Sequence, residues 1–363
     1  MDTSAFLRTI SIPQIPEDRR YWFVRTDGGT HYSDFTLHGY IAISWDYITV
    51  DFLHNNSEDT VKRVIRSSEK SAPTKDEDSN DDSSSSELAQ ATTIYNKLKR
   101  FVDEMSIGDI VISPSKNSTS VSIGLITSDV YEDPLYALEY YSKDPESELI
   151  VCPYHKRRNV DWLKTITKDH LDIYLSKALS SQHSVSCLDE YAPLINRNVY
   201  DIYSIGHTSH ATLRTKRITP VSFAELRDFF NVLDQNLASA ANALGEEYDP
   251  SLLDVKLSIN SPGLIEIAGS ALFLSSAFSI IVFALNHYRH GGKSKTSFKL
   301  EILGQKIEFS NESQSKGALD YHLAEKRLSL DALDNLADLQ DSLEMQFPEI
   351  NSSSIEVEDS VDC

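Results

Sequence analysis

The sequence predicts a mixed α+β chain: an N-terminal β-barrel with flanking helices, then a smaller α/β unit with a long apolar helix. Three observations predict it. Of the 363 residues, 40% are apolar, enough to build two cores. Short runs rich in β-branched and aromatic residues, separated by turn signals, recur between Tyr21 and Tyr154. From Val221 onward, helical spacing of apolar residues dominates instead.

In chain order, Tyr21-Trp-Phe-Val-Arg25 and Tyr40-Ile-Ala-Ile-Ser-Trp45 read as strands joined by a loop around Asp27-Gly-Gly29. Residues 57–66 read as helical. Residues 67–87 are rich in Ser and Asp without an aromatic, and are expected as a solvated, mobile insertion in which no core forms. Leu88, Ile94, Leu98, Phe101 and Val102 predict an amphipathic helix from Leu88 to Glu104, leading into a Gly108-Asp109 turn. Strands are expected at 110–113, 121–126 and 150–154, with the tyrosine-rich stretch 131–148 as an excursion between the last two. A polar helix or two after Trp162, with Leu171–Leu179 as its core, and the stretch 188–205 complete a first unit, residues 1–205.

Residues 206–220 read as a linker to a second unit, residues 221–350. Its first helix, 222–244, opens with a Ser222-x-x-Glu225 capping box. A strand over 253–259 ends at the turn Asn260-Ser-Pro-Gly263. The apolar run 264–285 is expected as a buried helix, two strands surround Gly304, and a last helix spans about 317–345. The tail, residues 351–363, is acidic and expected to be disordered.

Net charge is −21, which opposes an extended nucleic-acid footprint because phosphate contacts need Lys and Arg. The charge is unevenly spread. Residues 1–150 carry 14 bases against 26 acids and residues 221–363 carry 10 against 23, but residues 151–220 carry 10 against 6. That basic window holds His155-Lys-Arg-Arg158. Cys152, Cys187 and Cys363 are odd in number and lack CxxC spacing, so neither a disulfide framework nor a zinc site is expected, and a reducing cytoplasm fits. No signal-peptide run opens the chain, which also points to the cytoplasm.

Four blocks stand in order along the first unit: Trp22-Phe-Val-Arg25, Ala42-Ile-Ser-Trp45-Asp46, Gly108-Asp-Ile-Val-Ile-Ser-Pro114 and His155-Lys-Arg-Arg-Asn-Val-Asp-Trp162. Aromatic faces for stacking and a guanidinium for phosphate are the parts a small barrel needs to read a nucleobase. The candidate base-binding residues are Trp22, Arg25, Trp45, Asp46, Ser113, His155, Arg157, Arg158 and Trp162. Each has a plainer reading. Gly108-Asp109 makes an ordinary turn, a tryptophan at a strand end plugs a core, and charges on an edge strand prevent aggregation.

The four blocks, with Ile123-Gly124 between the third and fourth, resemble the PUA-like (EVE-like) domain at the front of Mrr-type restriction proteins and related bacterial defence proteins. The resemblance covers about residues 20–205. It departs from the family at Ser44, where the family has glycine, and in a longer segment between Ile126 and His155. The resemblance implies that an extruded, often modified, base enters an aromatic-lined pocket formed by Trp22, Trp45 and Trp162.

No Walker A loop, HExxH or GxSxG motif occurs, and no catalytic residue, metal or cofactor is expected. The expected function is a nucleic-acid or modified-nucleotide sensor in an anti-phage or restriction system, with the second unit serving oligomerisation or a partner protein. One alternative is a membrane effector using the run 264–285, long enough to span a bilayer with Glu266 near its start. Another is a divergent metal-dependent nuclease, whose one Gln-x-Lys is Gln314-Ser-Lys316.

Overall fold

A computed structural model of the chain describes residues 7–70, 83–171, 173–179, 184–217, 219–258, 263–290, 295–302, 305–312, 330–349 and 352–355. The chain is mixed α+β and divides into two units, residues 18–199 and residues 1–17 with 200–363. This differs from the expected boundary at 205, and strand pairing is the reason. Gln14–Ile15 pairs in parallel with Ile202–Ile205, tying the N-terminus to the second unit. The expected linker is also corrected: Thr208–Thr215 is a strand inside that unit's sheet.

In the 18–199 unit, the strand Tyr21–Val24 pairs in parallel with Ile110–Pro114 and antiparallel with Val185–Cys187. The sheet order is Tyr40–Ile43, Lys156–Thr167, Ser120–Ile126, Ile110–Pro114, Tyr21–Val24, Val185–Cys187, with Tyr131–Glu132 also beside Lys156–Thr167. It curls into a half-barrel whose end strands do not pair with each other among the described residues. Both faces of the central strands are buried, as a parallel pair requires. Alternation sends Trp22, Val24 and Val111 into one core with Phe35, Ile65, Leu98 and Phe101. Tyr21, Phe23, Ile110 and Ile112 enter another with Ile123, Leu175 and Leu188.

The helices Glu58–Lys70 and Ser83–Lys99 pack on each other, and a π-helical turn, Arg100–Glu104, continues the second. Of the expected mobile insertion, residues 71–82 lie outside the described residues, whereas 67–70 and 83–87 belong to these two helices. The strand expected at 150–154 is irregular chain. Extended pairing begins at Lys156 and runs to Thr167, where a polar helix was expected. The exposed polar residues of that strand's second half have the composition of a solvated helix, but their backbone is spent on Ser120–Ile126. The helix Ile173–Ala178 follows, with Leu175 and Leu179 in the core.

In the other unit, the helix Phe223–Leu244 opens on the capping box: the Glu225 N–H donates to Ser222 Oγ at 3.2 Å and the Ser222 N–H to the Glu225 carboxylate at 2.7 Å. The sheet runs Asp254–Ser258, Leu264–Ser270, Thr208–Thr215, Ile202–Ile205, Gln14–Ile15, with Met345–Gln346 also on Thr208–Thr215. The run expected as one apolar helix is thus divided. Leu264–Ser270 is a strand, and the helix begins at Ala271 and ends at His290. Glu266 is buried on that strand beside His210 Nδ1 at 3.0 Å. Two of the helix's serines are placed by partners: Ser275 Oγ lies 2.6 Å from Ser209 Oγ, itself 2.8 Å from Ser204 Oγ, and Ser279 Oγ donates to the Ser275 carbonyl at 2.7 Å. No helix among the described residues is long and apolar enough to cross a membrane, so the membrane alternative loses the span it rested on.

A four-stranded sheet, Gln305–Glu312, Lys295–Ile302, Leu7–Ser11 and Ser352–Ile355, takes up part of the tail expected as disordered. The helix Leu330–Ser342 falls within the expected last helix. The turn at 259–262, the Gln314–Lys316 motif and residues 356–363 lie outside the described residues.

Candidate functional site

The basic block expected to meet phosphate is an internal brace. Lys156, Arg157 and Arg158 are 1%, 1% and 2% exposed. Lys156 Nζ donates to the carbonyls of Trp45 and Ile48, each at 3.0 Å, and to Asp46 Oδ1 at 3.3 Å. Burial lowers its pKa and Asp46 opposes that shift. Arg157 Nε and Nη2 donate to the carbonyls of Tyr154 and Cys152 at 3.0 and 2.7 Å, and its guanidinium lies 4.3 Å from the Tyr40 ring and 3.8 Å from that of Tyr136. Arg158 caps the π-helical turn, donating to the carbonyls of Phe101 and Val102 at 2.8 Å each, and to that of Ser128 at 3.1 Å. These donors complete carbonyls that a tight turn leaves open, a structural use of guanidinium.

Three further candidates are also structural. Trp22 is fully buried and its indole N–H donates to Asp109 Oδ2 at 2.8 Å, so the second residue of the Gly108-Asp109 turn fixes a core tryptophan. Ser113 Oγ, buried, donates to the Val24 carbonyl at 3.0 Å. Trp162 Nε1 donates to the Phe35 carbonyl at 2.8 Å, and its ring lies against Gly124, where an added Cβ would stand 2.8 Å from Trp162 Cε3. The three tryptophans therefore do not share one pocket.

Arg25 and Trp45 do come together. They line a cleft of about 350 Å³ with Asp27, Lys97 and Tyr154, at the lower end of the range for small-molecule sites. Arg25 follows the strand Tyr21–Val24, its N–H continuing the ladder to the Ser184 carbonyl at 2.8 Å and its guanidinium 5.7 Å from the Phe23 ring. Across the cleft, Trp45 leaves the strand Tyr40–Ile43 with φ of +64°, a left-handed conformation that costs a bulky residue energy. It is held there by the Ile48 N–H and by Lys156, both donating to its carbonyl. Asp46 secures the same turn, accepting from the His155 N–H at 3.0 Å as well as from Lys156. Asp46 and His155 thus position Trp45 and do not line the cleft.

Sequence reasoning missed Lys97, Asp27 and Tyr154. Lys97 Nζ stands 5.5 Å from the Trp45 ring centroid, within cation–π range, with no hydrogen bond or ion pair among the described residues. Burial lowers its pKa. Tyr154 is pushed up to about 12, by burial first and then by the charge of Asp27. Asp27 has a φ of +52° and opens a loop in which Gly28 and Gly29 are also left-handed; a Cβ on Gly29 would meet the backbone of Lys116. The cleft thus combines two aromatic faces, two cations and one carboxylate, the set that can hold a flat ring bearing both donors and a negative charge. Among the described residues no group of three or more His, Cys, Asp or Glu side chains could hold a metal.

Residues 22–188 match a family described as a domain of unknown function, DUF8426. That span falls inside the 18–199 unit and includes every residue lining the cleft. No curated protein and no solved structure matches the chain.

Proposed function

We propose that residues 18–199 form a base-recognition module of the PUA-like (EVE-like) kind, and that the chain is a sensor of a nucleobase or modified nucleotide in an anti-phage or restriction system. The observation that carries this is Trp45, an aromatic residue held in a strained backbone at the edge of a cleft by Asp46 and Lys156. Such strain costs about 1–3 kcal/mol and collects at ligand sites. The ordered sequence blocks and the curled half-barrel support the same reading. Asp27 suits the exocyclic amine of a base and Arg25 its carbonyl. The burial of Lys156, Arg157 and Arg158 favours one base or nucleotide over a duplex, because the basic window adds no surface for phosphates along a helix. The other unit would serve oligomerisation or a defence partner.

Titration of tryptophan fluorescence with nucleosides, cytosine-modified nucleosides and short oligonucleotides tests this. Saturable binding is expected, lost in Trp45→Ala and retained in Trp162→Ala. No binding to any of these ligands, or full binding by Trp45→Ala, would overturn the reading.

A further inference from the structure

Charged groups in a folded chain normally find a counter-charge or a set of carbonyls, because a desolvated ion without them is costly. Every buried cation of the Lys156–Arg158 block obeys this rule. Lys97 differs: it lines the cleft, half-buried, over the Trp45 ring, with neither a hydrogen bond nor an ion pair among the described residues, so its ammonium keeps its donors for solvent or a ligand. The cleft's carboxylate, Asp27, makes no ion pair with it. A cation 5.5 Å from the Trp45 ring centroid, on the lining of the same cleft, is within reach of an anionic group on a ligand held there.

We infer that the cleft takes a free nucleoside phosphate, with the base against Trp45 and the phosphate on the ammonium of Lys97. The inference rests on the base-recognition reading above and adds the ligand class. A polymer is disfavoured: a nucleotide inside a strand carries phosphates on both sides, and the 18–199 unit has spent its densest run of bases, Lys156 to Arg158, on its own carbonyls. A mononucleotide needs a single charge, which Lys97 supplies, with Arg25 on the same cleft. Burial gives that charge added reach, since an ion pair screened from water is stronger than one on the surface.

Calorimetric titration of the full chain decides this, using adenosine, guanosine, cytidine and uridine, their 5′-monophosphates, inorganic phosphate and a single-stranded decanucleotide. At least one monophosphate is expected to bind about tenfold or more tighter than its nucleoside, the scale of a charge-assisted hydrogen bond. In Lys97→Met that ratio should fall to about one, and in Lys97→Arg it should persist, with thermal melting confirming that both variants fold. The decanucleotide should bind no tighter than the best monophosphate. Equal affinity for nucleoside and monophosphate, or a ratio untouched in Lys97→Met, overturns the phosphate assignment and leaves base recognition standing. A decanucleotide that binds far tighter, with steep salt dependence, overturns the free-nucleotide assignment. Failure of every probe overturns both readings.

Discussion

Arg157 and Lys97, both in the 18–199 unit, each set a cation over aromatic rings, and they differ in what else the cation touches. Arg157 sits between Tyr40 and Tyr136, its Nε and Nη2 spent on two carbonyls. The same two tyrosines donate their hydroxyls to the fully buried Asp34, which also accepts from the Cys152 N–H at 2.7 Å and faces His38 Nδ1 at 2.7 Å. Desolvation and the Asp34 hydrogen bond raise the Tyr40 pKa far above its ordinary value. Lys97 sits over Trp45 with none of this around it. A buried cation that donates to the chain's own carbonyls is a brace, even where one nitrogen, Arg157 Nη1, is left without an acceptor, and a cation that donates to nothing beside an opening is available to a ligand.

The largest expected effect breaks the brace. Arg157→Met leaves the Tyr154 and Cys152 carbonyls without their donor and forfeits both cation–π contacts, and should cost about 2–4 kcal/mol of stability in urea unfolding. Lys97→Met, the matching change in the cleft, should leave the unfolding midpoint almost unmoved, within about 0.5 kcal/mol. Equal losses in the two variants would remove the distinction between brace and site.

Much of this contrast could not be read along the chain. The helix Phe223–Leu244, its Ser222 cap and the strand Ile110–Pro114 were legible because their signals are local: apolar period, a hydroxyl three residues before a glutamate, β-branched runs. Arg25 and Trp45 line one cleft because each leaves the end of its strand at the rim. Arg157 and Arg158 were misread because residue type shows the charge but not its partners. The carbonyls that accept from Arg158 belong to Phe101, Val102 and Ser128, on other elements. Lys97 gave no signal, since a lysine beside Leu98 on an amphipathic helix normally drapes its stem over the core edge with its head in water.

A smaller effect separates the backbone of Trp45 from its ring. Trp45→Gly relieves the left-handed strain and forfeits the contacts of a half-buried indole, two terms of opposite sign and similar size. Stability should change by less than about 1 kcal/mol while nucleotide binding is lost. A large loss of stability would mean that Trp45 is a core plug like Trp22, and would place the site elsewhere.

The smallest and most specific effect is in pH. Affinity for a 5′-monophosphate should rise as the phosphate takes its second charge near about pH 6. It should then decline on the alkaline side as Lys97 loses its proton. Because burial lowers the Lys97 pKa from the ordinary 10.5, the free protein begins to lose that ammonium at a lower pH than an exposed lysine would. The bound anion favours the charged form, so binding at alkaline pH must take up a proton, visible as a dependence of the calorimetric heat on the buffer's ionisation enthalpy. Tyr154, pushed up to about 12, stays neutral across this range and does not contribute. Lys97→Arg keeps its charge throughout and should flatten the alkaline limb without moving the acidic one. An unchanged alkaline limb in that variant would assign the titration to another group, and with it the anion's partner.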